Sequence, residues 1–263
     1  MNNNKFKIDN FFDKYSSEYS IENYNKNINK VMLIRLKTII EFVEKNFKDK
    51  NINILDLGCG SGEITLALAK LGYKGDALDN SKGMLEICKK KISDYGWNFY
   101  LNEAQNTHLE NNKYDLIIAS GLIEYYPEDN ILLEEISRLL KKNGHLIINV
   151  TNKYGYSTCL NSFTYYIKQN FIFKIIKSKL FKFKYGIVNF STRKHNIKKF
   201  KETLKQFNYT IKQEKYIGFS LFPAPFMTLF NFFTRKIDLK LETLSNTKIK
   251  VFGASYVELC RKD

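Results

Sequence analysis

The sequence predicts an α/β fold built on a mostly parallel sheet, and three stretches carry this prediction. The apolar run 52–57 predicts a buried strand, which leads through a loop with three alternating glycines into the helical pattern 63–70. Residues 75–79 predict a short strand that ends in Asp79 and is followed by a second helical stretch. The apolar run 116–119 predicts a third strand that opens into a loop at its carboxyl end. Strands that alternate with helices in this way are typical of a parallel sheet with helices on both faces.

The loop after the first strand presents bare backbone to a ligand. Its glycines, Gly58, Gly60 and Gly62, have no Cβ, accept positive φ and let N–H groups approach bound atoms at the start of a helix. A dinucleotide-binding loop has its third glycine one residue later, and the Gly-Lys-Ser/Thr of a P-loop does not follow here. The run Leu55–Gly62 resembles instead the first motif of class I S-adenosylmethionine-dependent methyltransferases. The resemblance implies S-adenosylmethionine as cofactor, held around its methionine and ribose parts by the loop positions Asp56, Gly58, Cys59 and Gly60.

A carboxylate follows the second strand, about 20 residues after the glycine loop, where related sheets place a grip on two ribose hydroxyls. Asp79 occupies this position. The stretch 75–85 resembles the second motif of the same family, and the resemblance also brings Asn80 to the cofactor. Ser81 is predicted to cap the following helix, and Asp76 to be a solvated strand residue.

Two further stretches extend the resemblance. Glu103 and Ala104 follow the strand-like stretch 98–101, where the family has an Asp-Ala pair that meets the adenine ring. The longer Glu side chain can still accept a hydrogen bond from the exocyclic amine, and an exposed loop glutamate is the alternative. The loop after the third apolar run resembles the fourth family motif and implies that Ser120 lies at the cofactor. Tyr125 stands where some members use a histidine as general base.

The N-terminal region carries a resemblance of its own. The segment Phe12–Tyr19 is similar to one that caps the cofactor in many small-molecule methyltransferases, which implies that Tyr15 and Tyr19 cover the ligand. Arg35 lies in a predicted long helix, residues 28–47, from which it could hold the methionine carboxylate with two hydrogen bonds. An ordinary surface arginine is the alternative for Arg35.

The later elements complete the predicted core. In chain order they are a helix (131–140), its basic last turn (141–144), a strand (146–150), a helix (197–207) and two hairpin strands (209–216 and 254–261). By resemblance, the fold is a Rossmann-like seven-stranded, mostly parallel sheet with a reversed last strand and helices on both faces.

These patterns divide the chain into four predicted regions. They are an N-terminal helical cap (1–50), the S-adenosylmethionine-binding core (51–150), a helical insert or substrate lid (151–190), and a part that completes the sheet (191–263) with a second insert near 219–245. The lid is suggested by residues 160–183, which mix Phe, Tyr and Ile with Lys. A packing helix with a solvated basic face is the alternative.

Composition limits the remaining possibilities. At 263 residues and 44% apolar content, the chain can build one α/β domain with an elaboration. Its four cysteines lack C-x-x-C spacing and only three histidines accompany them, so we expect neither a metal site nor a disulfide framework. Since no signal pattern and no membrane-spanning apolar run is visible, we expect a cytoplasmic protein, with peripheral membrane contact left open.

Charge is distributed unevenly along the chain, whose formal net charge is +15. Residues 1–150 carry 20 Lys and Arg against 21 Asp and Glu, whereas residues 151–263 carry 22 against 6. This difference indicates an anionic partner for the second half: a phosphorylated or nucleotide-linked small molecule, an anionic membrane surface or nucleic acid. Nucleic acid is the least favoured, because no appended RNA-binding module or N-P-P-Y-type loop is present.

The sequence therefore predicts an S-adenosylmethionine-dependent methyltransferase that yields S-adenosylhomocysteine. Its acceptor would be an oxygen or nitrogen of a small anionic molecule, phosphorylated or linked to a nucleotide or sugar. The alternatives, in order, are a lipid or quinone at the membrane surface, an RNA, and a non-catalytic partner protein that only binds the cofactor.

A general base is needed only where the acceptor must lose a proton, because the sulfonium methyl group is already activated. The candidate catalytic residues are His195, Tyr126, Tyr154 and Glu124. His195 lies just before a predicted helix, and a surface histidine is the main alternative for it. Arg193 and Lys194 beside it could hold a phosphate or carboxylate.

Overall fold

One mixed sheet organises the molecule. The computed structural model describes residues 3–17, 30–160, 192–220, 237 and 240–263. The strands are β1 (Ile54–Leu57), β2 (Gly75–Asp79), β3 (Asn98–Leu101), β4 (Tyr114–Ser120), β5 (Leu140–Thr151), β6 (Tyr209–Ile217) and β7 (Ser255–Lys262). They are ordered β3-β2-β1-β4-β5-β7-β6. The first five pair in parallel, while β7 runs antiparallel to both β5 and β6. The predicted seven-stranded fold with its reversed last strand is confirmed.

Helices cover both faces of this sheet. They are α1 (Asn3–Lys14), α2 (Lys30–Asn46), α3 (Glu63–Lys70), α4 (Lys82–Ile92), α5 (Asp129–Leu139) and α6 (Ile197–Gln206), with short 3₁₀ turns at Ser93–Tyr95, Ile123–Tyr125, Glu242–Asn246 and Lys248–Phe252. One hydrophobic cluster joins the sheet to α5 and α6, and a second joins the other face to α2, α3 and α4. Among the described residues, no helix is both long and apolar enough to cross a membrane.

Local sequence explains why the elements begin and end where they do. All four residues of β1 are buried, as a central parallel strand requires. Ser81 caps α4 by accepting a hydrogen bond from the Met84 N–H at 3.2 Å, as predicted. Asn196 caps α6 in the same manner, accepting from the N–H groups of Lys198 and Lys199.

The predicted basic last turn of the fifth helix is wrong. α5 ends at Leu139, and the fully buried Leu140 already pairs with Tyr114 in the sheet. The register between β4 and β5 shifts after this pair, which leaves residues 141–144 as an irregularity within β5. Lys141 Nζ forms an ion pair with the Asp115 carboxylate of β4 at 2.8 Å. A contact between neighbouring strands therefore stands where a helical turn was predicted.

The prediction that Asp76 is a solvated strand residue is also wrong. Its residue exposure is 4%, and its carboxylate accepts hydrogen bonds from Asn98 Nδ2 (2.8 Å), Lys113 Nζ (2.7 Å) and Tyr114 Oη (2.6 Å). Burial by itself would raise the pKa of Asp76, but these three donors bring it below its ordinary value. Asp76 therefore ties β2 to β3 and β4 as a charged group.

A second buried carboxylate lies in β7, towards the opposite edge of the sheet. Glu258 of β7 is fully buried and stands opposite Glu214 of β6. Glu214 takes the nearby donors, Lys201, Lys250 and the Tyr256 hydroxyl. Burial raises the pKa of Glu258 to about 8 from an ordinary value of 4.5.

This shift predicts a pH-dependent stability. The pKa of Glu258 in the folded protein lies above its value in the unfolded chain. Its contribution to the free energy of unfolding is therefore fully present below pH 4.5 and is lost as the pH rises through about 8. The isosteric Glu258→Gln should lack this loss and melt roughly 5 °C above the wild type at pH 9, with a smaller difference at pH 5. Thermal unfolding at both pH values measures it. The exposed Glu202→Gln on α6 is the matched control and should show no such trend.

Candidate active site

The glycine loop lies at the carboxyl edge of the parallel strands, between β1 and α3. Its three glycines all have positive φ: +73° at Gly58, +53° at Gly60 and +84° at Gly62. The N–H groups of Gly58 and Cys59 both donate to the Leu78 carbonyl, at 2.8 and 3.0 Å, which fixes the loop to β2. A Cβ added at Gly60 would meet nothing within 4 Å, so the backbone there is open to a ligand.

Asp79 joins this loop to the turn between β2 and α4. One carboxylate oxygen accepts from the Gly60 N–H at 2.7 Å, and the other accepts from the Ser81 N–H at 2.9 Å. Burial, together with the nearby charge of Asp13, raises the pKa of Asp79 to about 6, while the backbone donors oppose the shift. The two backbone bonds orient the carboxylate, and lone pairs remain for hydroxyl donors.

Two predicted cofactor residues direct their side chains into the protein. Asp56 is 1% exposed and accepts from the Thr65 hydroxyl at 2.5 Å, and burial raises its pKa to about 7. The buried Cys59 thiol makes a hydrogen bond with Cys88, which together with burial raises the pKa of Cys59 well above its ordinary value. At Asp56 and Cys59, therefore, only backbone atoms are left to meet a ligand.

The ends of β2 and β3 border an open cavity of about 370 Å³. Its lining residues are Asn80, Leu101, Asn102, Glu103, Gln105, Asn106 and His108. Glu103 is half-buried in a turn closed by the Asn106 N–H on the Glu103 carbonyl at 3.0 Å, and Ala104 behind it is buried. The structure thus brings Asn80 and Glu103 to one cavity, beside Asp79.

Arg35 of α2 reaches the loop after β4. A Cβ added at Gly121 would lie 2.8 Å from Arg35 Nη1, so the guanidinium rests directly on this glycine. Leu122, the next residue, in turn contacts Gly58. Arg35 is half-buried and packs on the loop after β4, which in turn contacts Gly58.

Polar side chains fill the ends of β4 and β5. The Ser120 hydroxyl donates to Asn149 Oδ1 at 3.0 Å, and Asn149 Nδ2 donates to the Ser255 hydroxyl at 3.3 Å. Glu124, 8% exposed, accepts from the Thr151 hydroxyl at 2.8 Å. Burial raises the pKa of Glu124, although the Thr151 bond and the charge of Arg35 oppose it.

His195 lies beside this group, and the surface interpretation of it is wrong. The backbone N–H of His195 donates to the Thr151 carbonyl at 2.8 Å, which places the residue next to the end of β5. His195 is only 6% exposed. Its Nε2 is 3.0 Å from Asp129 Oδ1. Its Nδ1 is buried and has no hydrogen-bond partner among the residues that the structure describes. If Nε2 carries the proton donated to Asp129, Nδ1 is free to accept one.

Arg193 serves the protein rather than a ligand phosphate. Its guanidinium bonds to the Tyr126 carbonyl, the Ile123 carbonyl and the Asp129 carboxylate. The backbone N–H of Arg193 also donates to the Glu124 carbonyl at 3.0 Å. The strand-like stretch before α6 therefore holds the loop after β4 in place.

The other predicted residues are more scattered. Tyr126 is half-buried in the loop after β4, while Tyr154 is 55% exposed after β5 with Lys153 Nζ 5.8 Å from its ring centre. Tyr15 is half-buried with its ring 5.2 Å from that of Phe11. Tyr19 lies outside the described residues, as does most of the predicted lid. Across the described ranges, no group of three His, Cys, Asp or Glu residues could hold a metal ion.

Sequence reasoning missed Asp13. This residue of α1 accepts from the Ser81 hydroxyl at 2.6 Å and from the Gly83 N–H at 3.2 Å, at the turn that carries Asp79. Gly83 is the sequence signal that could have indicated this contact. A glycine inside a helix lowers stability, so its presence suggests that another segment packs closely against it.

The chain is similar in sequence to known methyltransferases. The family model described as "Methyltransferase domain" matches residues 48–215. The chain is 31% identical over 128 residues to the ubiquinone biosynthesis O-methyltransferase of Pelagibacter ubique, covering 46% of this chain and 53% of that protein. It is 29% identical over 113 residues to the malonyl-[acyl-carrier protein] O-methyltransferase of Priestia megaterium, covering 42% and 41%. The chain thus spans about half the length of these curated relatives.

Solved structures share the fold. The magnesium protoporphyrin IX methyltransferase from Synechocystis, crystallised with bound SAH, superposes with a TM-score of 0.65 at 14% identity, over 99% of this chain and 100% of that one. A possible histamine N-methyltransferase from Thermotoga maritima gives 0.58 at 15% identity, over 98% and 99%. At such identities the likeness concerns the fold alone.

Proposed function

We infer that the chain, which belongs to the methyltransferase domain family, transfers a methyl group from S-adenosylmethionine to an oxygen atom of a small acceptor. The observation that carries this proposal is Asp79, whose carboxylate is oriented by the Gly60 and Ser81 N–H groups beside an open glycine backbone. The choice of oxygen is supported by the relatives named above, which are O-methyltransferases.

The residues fit the chemical groups of the cofactor. Asp79 offers acceptors to a pair of ribose hydroxyls, and Glu103 offers one to an amine at the cavity between β2 and β3. Arg35 brings the bidentate donor that a carboxylate prefers to the loop beside Gly58. When bound, S-adenosylmethionine supplies an activated sulfonium methyl group to an in-line displacement.

The protein's own part in the reaction is to position the acceptor and to take its proton. We assign the proton to His195 Nδ1, because Asp129 occupies Nε2. Asp129 is suited to this role, since the bonds from His195 and Arg193 outweigh burial and lower its pKa. Glu124 lies beside His195 and is held by Thr151, so it is the second candidate.

For the acceptor we propose a small molecule with negative charge. The support is the charge of residues 151–263, with 22 Lys and Arg against 6 Asp and Glu, and His195 belongs to this basic half. A quinone-type acceptor is the second candidate, favoured by the name of the Pelagibacter relative, a ubiquinone biosynthesis O-methyltransferase.

Two measurements on the full chain test the proposal. Calorimetry with S-adenosylhomocysteine should show binding at one site, and its absence would overturn the cofactor assignment. Release of S-adenosylhomocysteine from S-adenosylmethionine should then be followed with a dihydroxybenzoate, a sugar phosphate and a quinol. Turnover of the first or second supports the anionic acceptor, while turnover of the quinol alone favours the second candidate. Binding without turnover of any of them would contradict methyl transfer to these acceptor classes.

Gly58→Ala should weaken S-adenosylhomocysteine binding by about tenfold. The added Cβ would lie 2.9 Å from Leu122 Cδ1, and φ of +73° strains any L-residue, so the loop must move. Gly72→Ala is the matched control: its φ is +87° but nothing lies within 4 Å, so it carries the strain without the contact. We expect Gly72→Ala to lower the melting temperature and leave the affinity unchanged. Equal loss of affinity in the two variants would contradict the role of the loop.

A further inference from the structure

The helix α1 is fastened to the turn that carries Asp79. The Asp13 carboxylate accepts from the Ser81 hydroxyl at 2.6 Å, while the Ser81 N–H donates to Asp79 at 2.9 Å. Ser81 therefore connects the two carboxylates. The same Asp13 oxygen also accepts from the Gly83 N–H at 3.2 Å, which belongs to the first turn of α4.

A second contact joins α1 to the loop after β4. The Phe12 ring meets the Tyr125 ring edge-on, with centres 5.7 Å apart. Tyr125 belongs to the loop after β4, and Ser81 to the turn after β2. Since both loops follow parallel strands, α1 bridges the carboxyl edge of the sheet between them.

Gly83 is explained by this approach. Glycine within a helix costs about 1 kcal/mol relative to alanine, so its presence in α4 calls for a reason. A Cβ at Gly83 would lie 2.9 Å from Ser16 Oγ and 3.0 Å from the Asp13 carbonyl oxygen. The missing side chain is what lets α1 lie directly on the start of α4.

We propose that Asp13 is a positioning residue of the cofactor site, which fastens α1 over the ribose side of the bound cofactor and fixes the turn that orients Asp79. The proposal rests on the proposed function and deepens it. It assigns the attachment of α1 at this site to one carboxylate and one glycine.

The charge of Asp13 gives the proposal a distinctive signature. Among the described residues, the ionisable groups that interact with Asp79 include Asp13 from α1, Asp56 from β1 and the Cys59 thiol from the glycine loop. The Asp13 charge contributes to the raised pKa of Asp79, after burial. Removal of that charge alone should therefore lower the pH below which the cofactor dissociates, whereas a purely structural role would not move it.

The experiment uses the full chain and S-adenosylhomocysteine as the probe. Asp13→Ala should bind about tenfold more weakly at pH 8, the scale of losing hydrogen bonds to a charged acceptor. Asp13→Asn keeps an acceptor oxygen, so it should bind within about threefold of the wild type at pH 8, with its acid midpoint lower by roughly half a unit. Gly83→Leu should weaken binding like Asp13→Ala although Asp13 is intact. Asn10→Ala, exposed on α1, is the control and should change nothing.

Amide hydrogen exchange without ligand separates this proposal from the proposed function. α1 should exchange faster in Asp13→Ala and Gly83→Leu than in the wild type. Unchanged exchange together with wild-type affinity in Asp13→Ala would overturn the role of Asp13. An unmoved acid midpoint in Asp13→Asn would overturn its electrostatic part. If the wild type fails to bind the probe at all, the cofactor assignment fails, while the exchange of α1 still decides whether Asp13 fastens the helix.

Discussion

Asp79→Ala is expected to lower the affinity for S-adenosylhomocysteine by about a hundredfold or more. The carboxylate offers two charge-assisted hydrogen bonds, each worth roughly 1.5–3 kcal/mol, and tenfold in affinity corresponds to about 1.4 kcal/mol. The substitution also removes the acceptor for the Gly60 and Ser81 N–H groups, so the glycine loop loses its tie to the turn after β2. Calorimetry on the full chain measures the effect.

The pH dependence of binding sharpens this prediction. The pKa of Asp79 is raised to about 6, so the ionised form that accepts two hydroxyl bonds predominates above pH 6 and disappears below it. Wild-type affinity should therefore fall as the pH is lowered from 8 to 5, while Asp79→Asn, which carries no titrating group there, should be weak and nearly constant. Parallel pH profiles for the two proteins would contradict a ribose-binding role.

Stability separates a lost contact from a lost fold. Because the folded pKa of Asp79 lies above its ordinary 3.8, the stability it contributes is lost as the pH rises through about 6. Asp79→Ala should therefore melt within a few degrees of the wild type at pH 8, despite its loss of binding. Asp94→Ala, which removes an exposed carboxylate just after α4, is the control and should bind normally.

The fold was predictable because its signals are local. The apolar strand, the three glycines and the helical pattern lie within 52–70, and a strand ending at Asp79 follows. Short-range patterns of this kind specify the order of elements, and a parallel sheet then brings the loops after its strands to one edge. Even the hairpin strands, predicted at 209–216 and 254–261, were placed within one residue of Tyr209–Ile217 and Ser255–Lys262.

The errors have the opposite character, since each depends on a partner far along the chain. The donors to Asp76 lie 22, 37 and 38 residues away, so a strand aspartate gave no local sign of burial. His195 meets Asp129 at a separation of 66 residues, and Asp13 meets Ser81 at 68. Polar contacts of this range follow from tertiary packing, which periodicity and motif spacing do not encode.

His195→Gln is expected to lower kcat by about a hundredfold to a thousandfold with an acceptor whose hydroxyl must lose its proton. Proton transfer by a positioned side chain contributes roughly 10² to 10⁴ to a rate, and glutamine fills similar space without a titrating nitrogen. The affinity for S-adenosylhomocysteine should remain within about threefold of the wild type. The measurement is a steady-state rate with whichever acceptor class is turned over, paired with calorimetry.

A structural role for His195 predicts a different pattern. His195 also joins the stretch before α6 to Thr151 and Asp129, so its replacement could loosen that stretch and alter acceptor binding. Loss of packing would raise KM and lower the melting temperature while leaving the shape of the pH–rate profile intact, whereas loss of a base lowers kcat and removes the acid limb. Asp129→Asn should lower kcat, because it weakens the contact that orients the imidazole through Nε2. His145→Gln replaces a half-buried histidine at the other end of β5 and should leave kcat, KM, the melting temperature and the pH–rate profile unchanged. An intact acid limb in His195→Gln would move the role of base to Glu124, which is held by Thr151 in the same group of side chains.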